Sequence, residues 1–150
     1  MDLNKYSALV AVGGDGTYHE VVNGMLHRFD MQKIPVAFIP NGSGNDTLRS
    51  LSVFDVNQAL DYIVKGDIIK LDLTRILLDL EEPPEDTTSK EYISKYRFQL
   101  INSSFNVPAK INHRAFSWKW CCGCCNPYEI AAAIEFNKLI YEPLDIYMDG

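Results

Sequence analysis

No apolar run in this chain approaches the roughly 20 residues that a membrane-spanning helix needs, and no basic-then-apolar leader opens it. Cysteine is scarce and badly spread for a disulfide framework, since all 4 lie between positions 121 and 125. Positive charge is in deficit: 14 Lys and Arg against 20 Asp and Glu leave a net charge of −6, which argues against a protein dedicated to gripping nucleic acid. Glycine (9) and proline (7) are too few for a collagen-like or low-complexity chain, and no internal repeat is present. What is left is a soluble or peripheral protein, expected in the cytoplasm. With 150 residues, 47% of them hydrophobic, it can build one core or part of one.

The front of the chain alternates strand and helix signals. Residues 6–12 form a nearly continuous apolar run ending at a Gly pair, the pattern of a strand buried on both faces. Tyr18, Val21, Val22, Met25, Leu26 and Phe29 then follow the spacing of one helical face. A second buried strand is expected over residues 36–39, stopped by Pro40 and Asn41-Gly42. Ala59, Leu60, Ile63 and Val64 make another helical face, with Gly66 placed to cap it, and residues 68–80 suit one or two strands. This alternation implies parallel pairing in an α/β architecture. An acidic, Pro-containing stretch at 81–91 reads as an exposed loop or linker, dividing a front part (1–80) from a back part (92–150). In the back part, residues 96–101 and 144–148 alternate like strands and 128–141 like a helix.

Two glycine loops carry the chemistry. Gly13-Gly14-Asp15-Gly16-Thr17 joins a buried strand to an amphipathic helix. Its glycines let backbone approach a bulky anion, since no Cβ intrudes and positive φ is cheap. The helix that follows turns unpaired N–H groups and a positive dipole end toward that anion. A carboxylate would repel phosphate there, so Asp15 makes sense against a metal ion or as the acceptor of a hydroxyl proton. Pro40-Asn41-Gly42-Ser43-Gly44-Asn45-Asp46 occupies the equivalent place after the second strand. In an open parallel sheet both loops face the crevice beyond the strand ends, where ligands bind. Neither is a Walker A loop, and His19 and Thr47 stand where a third glycine would complete G-x-G-x-x-G. One such loop could be only a tight turn; two at matching junctions point to a site.

The first loop with Glu20 and Asn23-Gly24 downstream, followed by the second loop, resembles the catalytic domain of the diacylglycerol kinase family, which includes sphingosine, ceramide and bacterial lipid kinases. The resemblance is strong over residues 7–73 and weaker over 96–150. It implies a Rossmann-like, doubly wound nucleotide-binding part (1–80) followed by the beginning of a β-rich lipid-binding domain (92–150). The activity it implies is that of an ATP- and Mg²⁺-dependent kinase that transfers the γ-phosphate to a lipid hydroxyl at a membrane surface. Gly13, Gly14, Asp15, Gly16, Thr17, Asn41, Gly42, Ser43, Gly44 and Asn45 would then lie at the nucleotide, with Asp15 as the catalytic base. Glu20 is either structural or a support behind the groups that touch ligand. NAD kinases share the first loop and are the enzyme alternative, which the second loop argues against. A non-catalytic nucleotide-binding fragment is the other reading.

The sequence departs from the family pattern in three ways. Members begin with a further strand–helix unit bearing another Gly-rich loop, and they continue to a further acidic residue; neither is present here, so the chain is expected to be a fragment, unstable or inactive alone. Sphingosine kinases place a headgroup-binding acid near what are here Ala109 and Lys110, which favours diacylglycerol, ceramide or a related neutral lipid.

The stretch from Phe116 through Trp118 and Trp120 to Cys121, Cys122, Cys124 and Cys125 has three readings. It could dock on a membrane, with Trp at the interface and Cys as acylation sites. It could pack in a core, or its interleaved C-x₂-C pairs could bind zinc, although mononuclear sites draw their pairs from separate turns. His19, His27 and His113 form no ligand set, and His19 beside the first loop is the one placed to touch phosphate.

Overall fold

The computed structural model describes residues 1–77, 96–104, 106–118 and 127–137, which fall into two compact units, 1–102 and 103–150. In the first unit, β1 (Leu9–Gly13) and β2 (Val36–Pro40) pair in parallel, from Leu9 opposite Val36 to Gly13 opposite Pro40. They are connected through α1 (Asp15–Leu26). Because the strands are parallel and in this register, both end on the same side, and α1 and the short α2 (Asp46–Ser50) start there together.

The core of this unit gathers Ala11, Tyr18, Leu48, Val53 and Ala59, with Val21, Phe38, Leu51 and Leu100 packed against it. Tyr18 is fully buried, its ring 4.4 Å from that of Phe38. Burying a side chain of this kind contributes about 1.5–3 kcal/mol. α1 follows the expected stripe through Tyr18 and Met25, but it ends at Leu26, and Phe29 beyond it is exposed.

After α2, α3 (Val56–Lys65) shows clear end signals. Asp55 caps it, its carboxylate accepting from Gln58 N at 2.9 Å, and Gly66 closes it in the left-handed region at φ 71°. The left-handed turn is cheap for glycine, which is why the helix stops there.

Several expectations need correction. β1 is not buried on both faces: Ala11 is inside, whereas its neighbours Val10 and Val12, which point to the other face of a strand, are exposed. A doubly wound sheet does not appear among the described residues, which hold two separate two-stranded sheets and so a mixed α/β character. Of the described part of the span 68–80, residues 68–77, only β3 (Thr74–Leu77) is a strand, and it pairs antiparallel with β4 (Tyr96–Gln99). The two flanks of the acidic stretch therefore meet in one sheet of the first unit, and the compact units divide after Asn102.

In the second unit the described residues form two helices rather than β-rich structure: α4 (Asn106–Trp118) and α5 (Pro127–Phe136). They pack on each other, and Ala115 and Ala131 are both fully buried. Glu135, also buried, accepts from Arg114 Nε at 2.5 Å. Of the helix expected over 128–141, residues 128–136 are seen in α5, and 138–141 lie outside the described residues. The strand expected over 144–148, the acidic stretch 81–91, Trp120 and the four cysteines lie outside the described residues.

Candidate functional site

The ends of β1 and β2 are tied together before either glycine loop begins. Asn41 N donates to Gly13 O at 2.7 Å, extending the parallel ladder by one bond. The Tyr18 hydroxyl lies 2.5 Å from Gly13 O and 2.9 Å from Ile39 O, so its single proton is shared between the last carbonyls of the two strands. Burial, and after it the negative charge of Asp15, pushes the Tyr18 phenol above its ordinary value, and it stays a donor.

On this base the two loops touch backbone to backbone. A Cβ at Gly14 would lie 2.9 Å from Gly42 Cα, and one at Gly42 would lie 2.5 Å from Gly14 Cα and 2.8 Å from Asn45 Oδ1. Close approach, not positive φ, is what demands glycine at both places, because neither residue has a left-handed backbone. The left-handed residue of the second loop is Asn45, at φ 54°, a conformation that Asn tolerates better than most side chains. Its carboxamide closes the loop on itself, accepting from Gly42 N at 2.9 Å and donating to Gly42 O at 2.8 Å.

Asp15 crosses from the first loop to the second. Its Oδ1 accepts from Thr47 N at 2.8 Å and from Thr47 Oγ1 at 2.6 Å, and its Oδ2 accepts from Asp46 N at 3.1 Å. The carboxylate thus caps the first turn of α2, a task that Asn45, turned back on Gly42, does not perform. Burial acts to raise the Asp15 pKa, but the hydroxyl and the amides of Thr47 and Asp46 together outweigh it and hold the group below the usual carboxylate value. Its Oδ2 also lies 3.5 Å, and Asp46 Oδ2 3.4 Å, from where a Cβ on Gly44 would sit.

Every residue expected at the site is placed at this strand end. Gly13 ends β1, Gly14 precedes α1, and Asp15, Gly16 and Thr17 form its first turn; Asn41, Gly42, Ser43, Gly44 and Asn45 connect β2 to α2. Gly14, Asp15, Gly42, Gly44 and Asn45 converge, whereas Thr17, Asn41 and Ser43 are exposed. No side chain caps the start of α1, and a Cβ on Gly16 would meet nothing within 4 Å. The first-turn amides of a helix have no partners within it, so this uncapped end is suited to an anion. Glu20 is exposed on α1. Asn23 instead is buried and bonded to Phe98 through both of its polar atoms.

Sequence reasoning missed Thr47 and the hydroxyl of Tyr18. The first reads only as the residue that spoils a glycine pattern, the second only as an apolar stripe member. Among the described residues, no group of three or more His, Cys, Asp or Glu side chains gathers to hold a metal, and no helix is long and apolar enough to cross a membrane.

Comparison with known proteins gives a consistent picture. A family model, the diacylglycerol kinase catalytic domain, matches residues 1–76. A sphingosine kinase 1 of Arabidopsis thaliana is 48% identical over 54 residues, covering 34% of this chain and 11% of that protein. Sphingosine kinase B of Dictyostelium discoideum is 39% identical over 75 residues, covering 48% and 10%. A diacylglycerol kinase of Staphylococcus aureus (strain JH9) is 42% identical over 72 residues, covering 47% and 22%. The matched part of this chain therefore spans between 10% and 22% of the length of these relatives. No solved structure matches the chain significantly.

Proposed function

The chain belongs to the diacylglycerol kinase catalytic domain family, and from that premise we propose that it carries the nucleotide-phosphate site of an ATP-dependent lipid kinase, which moves the γ-phosphoryl group of ATP to a lipid hydroxyl. The observation that carries this reading is the convergence of the two glycine loops, with the Asp15 carboxylate held between them.

Phosphoryl transfer asks for positioning and charge neutralisation more than for covalent chemistry. The uncapped start of α1 supplies backbone donors for phosphate oxygens, and Gly16 leaves the approach to them open. Asp15, ionised at neutral pH, accepts the proton of the lipid hydroxyl as its oxygen attacks phosphorus. A carboxylate held this acidic is a weak base, but a loose transition state needs the proton taken late, so orientation matters more than basicity. Asp15 and Asp46 are the carboxylates beside Gly44 that would face a Mg²⁺ ion arriving with the triphosphate. When bound, that ion neutralises charge on the transferring phosphate.

For the acceptor we favour diacylglycerol or ceramide over a sphingoid base. The resemblance puts the headgroup-binding acid of sphingosine kinases near Ala109 and Lys110, and neither supplies a carboxylate to pair with an ammonium headgroup. Because such lipids stay in the bilayer, contact with a membrane surface is part of the proposal, through Trp118, Trp120 and Cys121, Cys122, Cys124 and Cys125. Changing both Trp to Ala should abolish cosedimentation with liposomes, and unchanged cosedimentation counts against docking there.

The deciding experiment is transfer of radiolabelled phosphate from ATP to a panel of diacylglycerol, ceramide and sphingosine. Labelled lipid supports the reading. The second reading is a nucleotide-binding segment without turnover of its own; ATP binding with no labelled lipid would select it.

A further inference from the structure

The hydroxyl of Thr47 is a buried polar group with a specific task. Thr47 is 3% exposed in the first turn of α2, where packing alone would be served by a side chain without a hydroxyl. A buried hydroxyl needs a partner, and this one donates to Asp15 Oδ1 at 2.6 Å, across 32 positions of sequence. The same oxygen takes the Thr47 amide at 2.8 Å, so two donors from one residue converge on it. The other oxygen takes a single, longer bond from Asp46 N at 3.1 Å and faces Gly44. The carboxylate is thereby asymmetric: Oδ1 is fully engaged, and Oδ2 keeps acceptor capacity.

We propose that Thr47 is a positioning residue, whose hydroxyl fixes the Asp15 carboxylate so that Oδ2 is the oxygen offered to the reacting hydroxyl. The inference rests on the reading of Asp15 as proton acceptor and adds to it the group that sets which oxygen acts. Without the Thr47 hydroxyl, the two amide donors remain, α2 keeps its cap, and the carboxylate gains freedom to turn.

The test compares Thr47→Ser and Thr47→Ala in the full chain. Both lose the methyl group and only the first keeps the hydroxyl, so their difference isolates the bond. Two readouts are taken: the Asp15 carboxyl carbon titrated by NMR, and steady-state transfer from ATP to diacylglycerol in mixed micelles. The alanine variant should titrate at higher pH than the serine variant, with kcat about tenfold lower, the size of one lost charge-assisted hydrogen bond. KM for ATP should hold within about twofold, since the nucleotide contacts are untouched. The serine variant should match the parent in both readouts. Identical titration of the two variants overturns the proposal, as does an unchanged kcat beside a shifted titration. If the parent chain transfers no phosphate, the kinase reading fails on that result, and the titration by itself decides whether Thr47 holds Asp15. Should Thr47→Ala fail to fold, Thr47→Val restores the volume, and its comparison with the parent reads the same bond.

Discussion

Asn23 and Phe98, 75 positions apart, are joined by two hydrogen bonds: Asn23 Nδ2 donates to Phe98 O at 2.9 Å and Phe98 N donates to Asn23 Oδ1 at 2.8 Å. A side-chain amide on α1 thus stands where a neighbouring strand would, satisfying both main-chain groups of one β4 residue. Asn23 also donates to His19 O at 2.9 Å, and it is 4% exposed, so this is a closed polar contact inside the unit.

Asn23→Ala should therefore destabilise the first unit by about 1–3 kcal/mol, because it removes the partner of both main-chain groups of half-buried Phe98. Chemical denaturation measures the loss, and hydrogen exchange should show the Phe98 amide among those that lose protection. Full protection of that amide in the variant would show that β4 does not depend on α1.

Two glycines of the loops, Gly42 and Gly16, should separate by their surroundings. Gly42→Ala places a Cβ against Gly14 Cα and Asn45 Oδ1, so the loops must part, and both thermal stability and ATP binding should fall. Gly16→Ala meets nothing within 4 Å and puts a better helix former in the first turn of α1, so stability should hold or rise. If phosphate sits at this helix start, Gly16→Ala should still weaken ATP binding, by about tenfold or more, as calorimetry would read. Retained affinity would move the nucleotide away from α1.

Asp15→Asn should abolish phosphate transfer, since the amide cannot take up the proton. It should also lower stability by about 1–2 kcal/mol, because the amide offers one acceptor oxygen where three donors now converge on two. Near-parental turnover in this variant would refute the role given to Asp15, and an unchanged melt would refute its role as the cap of α2.

Acid should loosen the first unit in two distinct windows. His27 follows α1 with its ring 5.0 Å from Tyr96 and 5.7 Å from Phe98, and its Nε2 is buried without a hydrogen-bond partner among the described residues. Burial, then the positive charge of Arg97, lowers its pKa from 6.5, against a hydrogen bond to the Tyr96 backbone. The unfolded chain therefore binds this proton at higher pH than the folded one. The His27 contribution is complete above pH 6.5 and is lost as pH falls below it. Asp15, also depressed, contributes fully above pH 3.8 and fails only below that. Urea midpoints at pH 8 and pH 5.5 should differ in the parent and agree in His27→Phe; a slope that survives the substitution assigns the effect elsewhere.

The strand–loop–helix grammar of residues 9–50 is legible because each piece declares itself locally. Short apolar runs end at glycine, periodic stripes follow, and Gly66 marks a helix end by composition alone. The bond from Thr47 to Asp15 has no local signal: it depends on two loops meeting, which is decided by the register of β1 on β2. The Tyr18 hydroxyl is hidden for the same reason, since a stripe records which face is buried and not what a polar tip will reach. Sheet partnership is equally non-local, and β3 finds β4 rather than the parallel sheet that its apolar neighbourhood suggested. α4 escaped notice because its apolar residues are diluted by Asn106, Lys110, Asn112, His113 and Arg114, although Pro108 in its first turn is a known helix-start signal.

The ring that Asn45 closes on Gly42 has a thermodynamic consequence for any ligand. A loop already locked by two hydrogen bonds surrenders little conformational entropy when something settles on it. Recognition at this edge is accordingly preorganised, and its selectivity is that of a mould rather than a hand that closes.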